Sequence, residues 1–179
     1  MVTTSPDSGT VTLLDGTEVG FRPIRPSDQA ALQRFHGRLS DQSIYQRFFF
    51  PKPWLSDEQA RYFTELDGID RFALVALDPT GPEEIAAVVR FDRDPGTDRA
   101  EYAAIVVDDW QGHGLGLALT RRLIEAARRR GVTTMYALVL PDNKRMLNLL
   151  RDLGLPERVR HEGGVERIEV SLPDEATPA

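Results

Sequence analysis

The order of the predicted elements indicates an α+β domain with a mostly antiparallel sheet and one βαβ unit near its C-terminal end. Three observations support this fold class. The sequence opens with a β-hairpin pattern, turn residues alone separate three later strand-like segments, and a glycine-rich loop leads from a strand into a helix. Residues 10–172 form one predicted domain. The polar ends, 1–9 and 173–179, are predicted to be disordered tails.

The N-terminal part of the domain is predicted to contain a hairpin and two helices. Residues 10–14 and 18–24 are β-prone runs on either side of an Asp-Gly turn signal. A first helix follows residues 26–28, and a capping-box pattern over 56–59 begins a second. The intervening segment 45–55 is aromatic and interrupted by prolines, which indicates a packed loop.

A strand meander and the βαβ unit complete the domain. Turns with proline and glycine separate three predicted strands, residues 72–77, 84–91 and 100–107. The helix after the glycine loop ends at Arg-Arg-Arg-Gly (128–131), where cations and glycine are typical of a helix C-terminus. A strand over 133–140, a helix begun at Asp142 or Asn143 and a strand over 165–172 follow.

Composition excludes several function classes. The formal charge of −6 argues against nonspecific nucleic-acid binding, and the absence of cysteine excludes disulfides, thiolate metal sites and cysteine nucleophiles. No apolar run approaches the roughly 20 residues that cross a bilayer, and the first residues lack a signal-peptide pattern. A cytoplasmic protein without membrane or nucleic-acid partners is therefore expected. The three histidines have no partners at metal-ligand spacing, so no metal is expected.

The glycine loop is the most informative segment of the sequence. Free amide N–H groups and a partial positive charge at a helix N-terminus suit a phosphate, and glycines let it approach the backbone. A nucleotide P-loop requires Gly-Lys-Ser/Thr, but the chain has Gly116-Leu117-Ala118. The dinucleotide pattern Gly-x-Gly-x-x-Gly fits in neither register. From the residues alone, a phosphate site and a simple turn with a helix cap both remain open.

The arrangement Gln111-x-x-Gly114-x-Gly116, after a strand and before a helix, resembles the acetyl-CoA pyrophosphate loop of the GNAT superfamily of N-acetyltransferases. The element order over 19–172 resembles the same fold, a mixed, mostly antiparallel twisted sheet flanked by about four helices. Four segments resemble bacterial protein lysine acetyltransferases of the Pat type: 22–28, 43–49, 99–103 and 142–147 with Leu153-Gly154.

The resemblance implies acetyl-CoA as cosubstrate and assigns residues to it. The loop and helix start would hold the pyrophosphate, through Gln111, Gly112, His113, Gly114, Leu115, Gly116, Leu117 and Ala118. Strand backbone near Ile105 and Val107 would pair with the pantetheine amides beside a splay in the sheet. Arg121 and Arg122 would contact a phosphate or form a solvated helix face. Asn143 would contact the pantetheine arm, cap a helix, or do both.

The resemblance also implies that Glu101 is the general base for direct attack of an amine on the thioester. A lysine amine has a pKa near 10.4 and must lose a proton before it attacks. Spacing alone leaves a second interpretation open, in which Glu101 is a salt-bridged strand residue. No tyrosine occupies the helix after Asn143 to protonate the leaving thiolate. Tyr102 and Tyr136 are alternative donors, with core packing as the other explanation of both.

Three functions remain open from the sequence. The first, which the resemblance favours, is acetyl transfer to a lysine of a protein; the second is transfer to a small amine or amino acid. The third is a noncatalytic acyl-CoA-binding regulator. Acidic residues outnumber basic ones eight to three over 83–109, and this charge either attracts a cationic acceptor or forms a solvated acidic edge.

Overall fold

The computed structural model describes residues 5–174, which form one eight-stranded sheet and five α-helices. The strands are β1 (Gly9–Thr12), β2 (Glu18–Pro23), β3 (Arg71–Asp78), β4 (Gly81–Arg93), β5 (Arg99–Val106), β6 (Thr134–Val139), β7 (Glu157–Glu162) and β8 (Val165–Ser171). The helices are α1 (Gln29–Gly37), α2 (Asp41–Phe48), α3 (Asp57–Thr64), α4 (Leu115–Arg129) and α5 (Lys144–Asp152).

The sheet has the order β1-β2-β3-β4-β5-β6-β8-β7, and only the β5–β6 pair is parallel among the described strands. All other neighbours are antiparallel. The predicted α+β class with a mostly antiparallel sheet is therefore confirmed. The β5–α4–β6 crossover is the predicted βαβ unit.

Two apolar layers cover the sheet. Helices α4 and α5 pack on one face, where Leu119 and Leu123 of α4 are fully buried against Phe91 of β4. Helices α1 to α3 cover the other face, where Phe35 and Val75 are buried. Burial of each large apolar side chain contributes about 1.5–3 kcal/mol, so both layers hold the sheet rigidly.

The sequence predicts about four helices, and α2 is the additional helix in the structure. Its second half lies in the segment predicted to be a loop (45–55). Ser40 caps its N-terminus by accepting a hydrogen bond from the Ser43 N–H at 3.1 Å. Phe49 ends it in the left-handed conformation, with φ of +66°. The aromatic run after α2 hides the helical pattern, because only Ser43 and Ile44 of the helix are buried.

Strand β7 was not predicted. All six of its side chains are exposed, so no alternation of apolar and polar residues marks it as a strand. It pairs only with β8 through a turn at Gly163 and Gly164, both with positive φ. It is an edge strand covered on neither face.

The ends of the described chain differ in part from the predicted tails. Gly9 begins β1, and the Asp7 carboxylate forms ion pairs with Arg129 and Arg130 of the α4 C-terminal region. Residues 1–4 and 175–179 lie outside the described residues. No helix within 5–174 combines the length and apolarity needed to span a membrane.

A bidentate ion pair fixes the entry into α1. Both Arg22 Nη atoms donate to the Asp28 carboxylate, at 2.8 and 2.9 Å, and the Arg25 N–H donates to it at 2.8 Å. Burial alone would raise the pKa of Asp28, but these hydrogen bonds outweigh it and hold that pKa below 3.8. The pair joins β2 to the turn Pro26–Asp28 that begins the helical layer.

We expect Asp28→Asn to lower the free energy of unfolding by about 2 kcal/mol at pH 7, because Arg22 loses its partner. The folded pKa of Asp28 lies below its unfolded value, so the stabilisation exists above about pH 4 and disappears as pH falls through the folded pKa. Urea unfolding from pH 7 to 3 measures this. The exposed Asp41→Asn is the control; equal stability of both variants at pH 7 would contradict the role of the pair.

Candidate active site

A cleft opens where β5 and β6 separate. The two parallel strands pair only over Arg99–Glu101 and Thr134–Tyr136. Beyond these residues β5 stays paired with β4 and β6 with β8, so the gap between them widens. Residues 103–106 and 137–139 line this cleft of about 150 Å³, together with side chains of α2 and α5. The structure thus contains the predicted splay beside β5.

The register of β5 decides which backbone groups face the cleft. Val107 donates its N–H to Ala86 O of β4 at 2.9 Å, and its carbonyl accepts from Trp110. Strands β4 and β5 pair without register shifts, and in such an antiparallel ladder every second residue directs its N–H and C=O groups to the same neighbouring strand. The backbone groups of Ile105, two residues before Val107, therefore also face β4. The predicted pairing of Ile105 and Val107 with pantetheine therefore disagrees with the structure. The amides that face the gap are those of Ala104 and Val106.

The glycine loop has the geometry of an anion site. Gly112 and Gly114 have φ of +79° and +82°, conformations that side chains disfavour. Gly114 is the N-cap of α4 and offers no side chain to the free N–H groups of Leu115, Gly116 and Leu117. Ala118 closes the first turn by donating to Gly114 O at 3.1 Å. The helix N-terminus therefore presents its N–H groups and positive dipole end to a ligand phosphate.

Gly116 is required for packing. A Cβ on this residue would lie 3.1 Å from Leu149 Cδ1 of α5 and 3.4 Å from Val106 Cγ2 of β5. The third glycine of the motif thus lets α4 approach both walls of the cleft. Gly116 therefore serves helix packing, whereas Gly112 and Gly114 serve the backbone conformation of the loop.

A polar network that the sequence did not reveal ties the loop to α2. The Gln111 amide donates to Ser43 Oγ at 3.0 Å and to Val106 O at 2.9 Å. Asp108 accepts from the Ser40 N–H and the Ser43 hydroxyl. Burial alone would raise the pKa of Asp108, but bonds from Ser40 and Ser43 lower it, so its carboxylate stays ionised. Gln111 therefore positions the loop through its side chain.

Glu101 occupies the vertex of the cleft. It is the last β5 residue paired with β6, opposite Tyr136, and it pairs with Asp92 of β4 on its other side. Its exposed side chain lines the cleft. Arg47 of α2 lines the same cleft; burial lowers the pKa of this guanidinium, and the Glu101 and Asp92 carboxylates oppose the shift. Arg99 pairs with Glu169 instead of Glu101.

Asn143 both caps a helix and lines the cleft. Its Oδ1 accepts from the Met146 N–H at 3.2 Å at the start of α5. Three other predicted ligand residues make contacts within the chain. Arg121 donates to Asp152 O, Arg122 to Glu125, and the His113 ring lies 5.4 Å from that of Trp110. These contacts agree with a solvated helix face for both arginines.

The two tyrosines proposed as proton donors are already hydrogen-bonded. The Tyr102 hydroxyl lies 2.7 Å from Thr120 Oγ1 in the core, and burial raises the pKa of Tyr102. Tyr136 donates to Asp94 at 2.8 Å; burial and this bond raise its pKa to about 12. Within residues 5–174 no group of three or more His, Asp or Glu side chains has the arrangement of a metal site.

A strand splay with a helix N-terminus at one side of it is the arrangement that the sequence resemblance implies for an acyltransferase that uses acetyl-CoA. The chain belongs to the GNAT acetyltransferase domain family, whose model matches residues 18–156. It is therefore an acetyl-CoA-dependent acetyltransferase, as the sequence resemblance predicted.

Relatives agree with this assignment. Acetyltransferase Pat of Mycolicibacterium smegmatis is 34% identical over 156 residues, 86% of this chain and 45% of that protein. Acetyltransferase PA5475 of Pseudomonas aeruginosa is 31% identical over 141 residues, 78% of this chain and 76% of that protein. The GNAT domain of S. lividans PAT is similar in structure, with TM-score 0.87, 36% identity and coverage of 94% of this chain and 99% of that one. The chain spans about half the length of the first of these relatives.

We expect Gly114→Ala to weaken coenzyme A binding about 10-fold and to destabilise the fold by about 1–2 kcal/mol, because a Cβ strains the left-handed N-cap. Calorimetric titration with coenzyme A and urea unfolding measure the two effects. Gly37→Ala is the control, since Gly37 is the last residue of α1 and no atom lies within 4 Å of the position that its Cβ would take. Unchanged affinity in Gly114→Ala would show that the loop conformation does not hold the ligand.

Proposed function

We propose that this chain transfers an acetyl group from acetyl-CoA to the ε-amine of lysine residues in proteins, with Glu101 as the general base. The observation that carries the proposal is the position of Glu101 at the vertex of the cleft, where β5 and β6 part. A carboxylate at this point lies beside the end of any thioester that enters between the strands.

The cleft fits the donor along its length. The α4 N-terminus suits the pyrophosphate, and the backbone groups of Ala104 and the N–H of Val106, which face the gap, suit the amides of the pantetheine arm. Gln111 holds the loop against Val106, so both parts of the cleft keep a fixed spacing. When bound, acetyl-CoA supplies the thioester carbonyl that the amine attacks.

Glu101 suits the role of base because it lies at the vertex of the cleft and, within residues 5–174, forms no ion pair, although the Arg47 guanidinium lines the same cleft. Only about one lysine amine in 2,500 is neutral at pH 7, so proton removal assists attack directly or through one water. Its strand neighbour Arg99 is held by Glu169. This geometry favours catalysis over the alternative in which Glu101 is a structural ion-pair partner.

Exposed aromatic side chains close to Phe49 in the sequence support a protein acceptor. Tyr45, Phe50 and Trp54 are 48%, 52% and 72% exposed, in α2 and the segment after it. Phe49, which ends α2 in a left-handed conformation, lines the cleft. Tyrosine and tryptophan are enriched at protein interfaces, so these side chains are candidates for contact with a protein acceptor.

We expect Glu101→Gln to reduce acetyl transfer by about 10²–10⁴-fold without weakening coenzyme A binding, because only the proton acceptor is removed. A thiol-release assay with acetyl-CoA on whole-cell protein, followed by detection of acetyl-lysine, measures the loss. Glu84→Gln is the matched control, since Glu84 lies on β4 and pairs with Arg34.

The acceptor class is tested in the same assay with a panel of small amines. Acetyl-lysine formation that collapses in Glu101→Gln supports the proposal. Turnover on small amines alone would assign the enzyme to small-molecule acceptors instead. Binding of acetyl-CoA with no turnover on either class would contradict the proposed activity.

A further inference from the structure

A second, smaller chamber adjoins the cleft on the α1–α3 side of the sheet. Its volume is about 40 Å³, and it shares Arg47, Ala103 and Ile105 with the cleft. Since a cavity needs about 10–15 Å³ for one water, the chamber has room for a group of two or three non-hydrogen atoms. Its walls are mostly apolar, with Phe35 and Phe63 among them.

A buried guanidinium without hydrogen-bond partners lines this chamber. Arg90 of β4 is 5% exposed, and its Nε and Nη2 have no hydrogen-bond partner among residues 5–174. Its guanidinium lies over the Phe63 ring at 4.8 Å, and its Nε is 3.9 Å from Asp92 Oδ2, beyond hydrogen-bond distance. Burial lowers the pKa of Arg90 to about 10, so it remains a cation at neutral pH. Buried N–H groups in native proteins nearly always have partners.

The side chains around the chamber carry more positive than negative charge, which favours binding of an anion. Arg71 occupies Asp92 at 3.1 Å, so this carboxylate is shared between two arginines. Arg47, over the Phe48 ring at 4.7 Å, adds a further cation between the chamber and Glu101. Three guanidinium groups thus face the two carboxylates of Asp92 and Glu101. A planar carboxylate matches both the excess charge and the free donor fork of Arg90.

We propose that this chamber binds a carboxylate of the acceptor, held by Arg90 and Arg47 about two residues along β5 from the amine at Glu101. Arg90 pairs across the strands with Ala103, two residues along β5 from Glu101, which is about 6–7 Å. The proposal rests on the proposed function and deepens it by naming a feature of the substrate. The carboxylate comes either from a free amino acid or from an acidic side chain next to the acceptor lysine.

Matched acceptor pairs test the proposal. The first arm compares ω-amino acids of three to six carbons with their carboxamides, and the second compares lysine peptides flanked by Glu or by Gln. We expect kcat/KM to be about 10-fold or more higher for the carboxylate partner in one arm, because charged hydrogen bonds are replaced by weaker ones. The arm that shows the preference identifies the source. No preference in either arm overturns the proposal.

Variants link the preference to the chamber. In Arg90→Met the ratio between carboxylate and carboxamide acceptors should fall to about one, whereas the exposed Arg34→Met should keep the ratio of the unmodified chain. An unchanged ratio in Arg90→Met would overturn the assignment to Arg90.

A binding measurement on the unmodified chain does not depend on whether Arg90→Met folds. Without acetyl-CoA, at least one carboxylate compound of the two arms should raise Tm, and its carboxamide partner should not. If amines are acetylated but neither a carboxylate preference nor a Tm shift is found, the carboxylate site is refuted and the proposed function stands. If no amine is acetylated but the Tm shift occurs, the proposed function fails and the carboxylate site stands.

Discussion

The separation of β5 from β6 is the constraint on which the rest of the structure depends. Each strand is held by its outer neighbour, β4 or β8, over nearly its full length, while the two pair with each other over only three residues. The gap leaves backbone groups of β5 without strand partners, and such groups need others. Gln111 supplies one to Val106, and the rest define a strip of amides that suits a pantetheine arm.

The glycine loop and α2 preserve this gap. Gly116 lets α4 contact Val106 and Leu149, so the helix N-terminus lies between the two walls of the cleft. Asp108 and Ser43 connect the start of α2 to the loop from the opposite side. Because α2 also carries Arg47 and leads into Phe49, the same network sets the position of the wall of the cleft that these two residues form.

Most of the fold could be predicted from local patterns, and the failures have physical causes. The leucine stripe of α4 follows from helical periodicity, since that helix has one buried face. Strands β3 and β4 of the meander are buried on both faces and follow from short apolar runs between turn residues. Strand β7 has no buried face, and α2 has a narrow one, so their sequences lack that signal. The resemblance pointed to the loop and to Glu101, which the structure places in one cleft with Gln111. It did not show which alternate amides of β5 face the gap, because the hydrogen bond from the Val107 N–H to Ala86 O decides this. The contacts of Ser43 and Asp108 with the loop, like the chamber around Arg90, join residues distant in sequence.

The register of β5 gives a single strand three separate tasks. Side chains of Tyr102, Ala104 and Val106 pack towards α4, while Ile105 packs in the α1–α3 layer, on the face that Glu101 shares by alternation. The backbone of Ala104 and Val106 meanwhile faces the gap. A shift of one residue would exchange these directions and place the Tyr102 side chain where Glu101 now stands. Because β4 pairs with β5 from Ala87 to Arg93 without any register shift, the sheet itself holds a carboxylate at the vertex and free amides along the cleft. The relative position of these amides and of the proposed base is therefore set by strand pairing, before any loop or side chain adjusts.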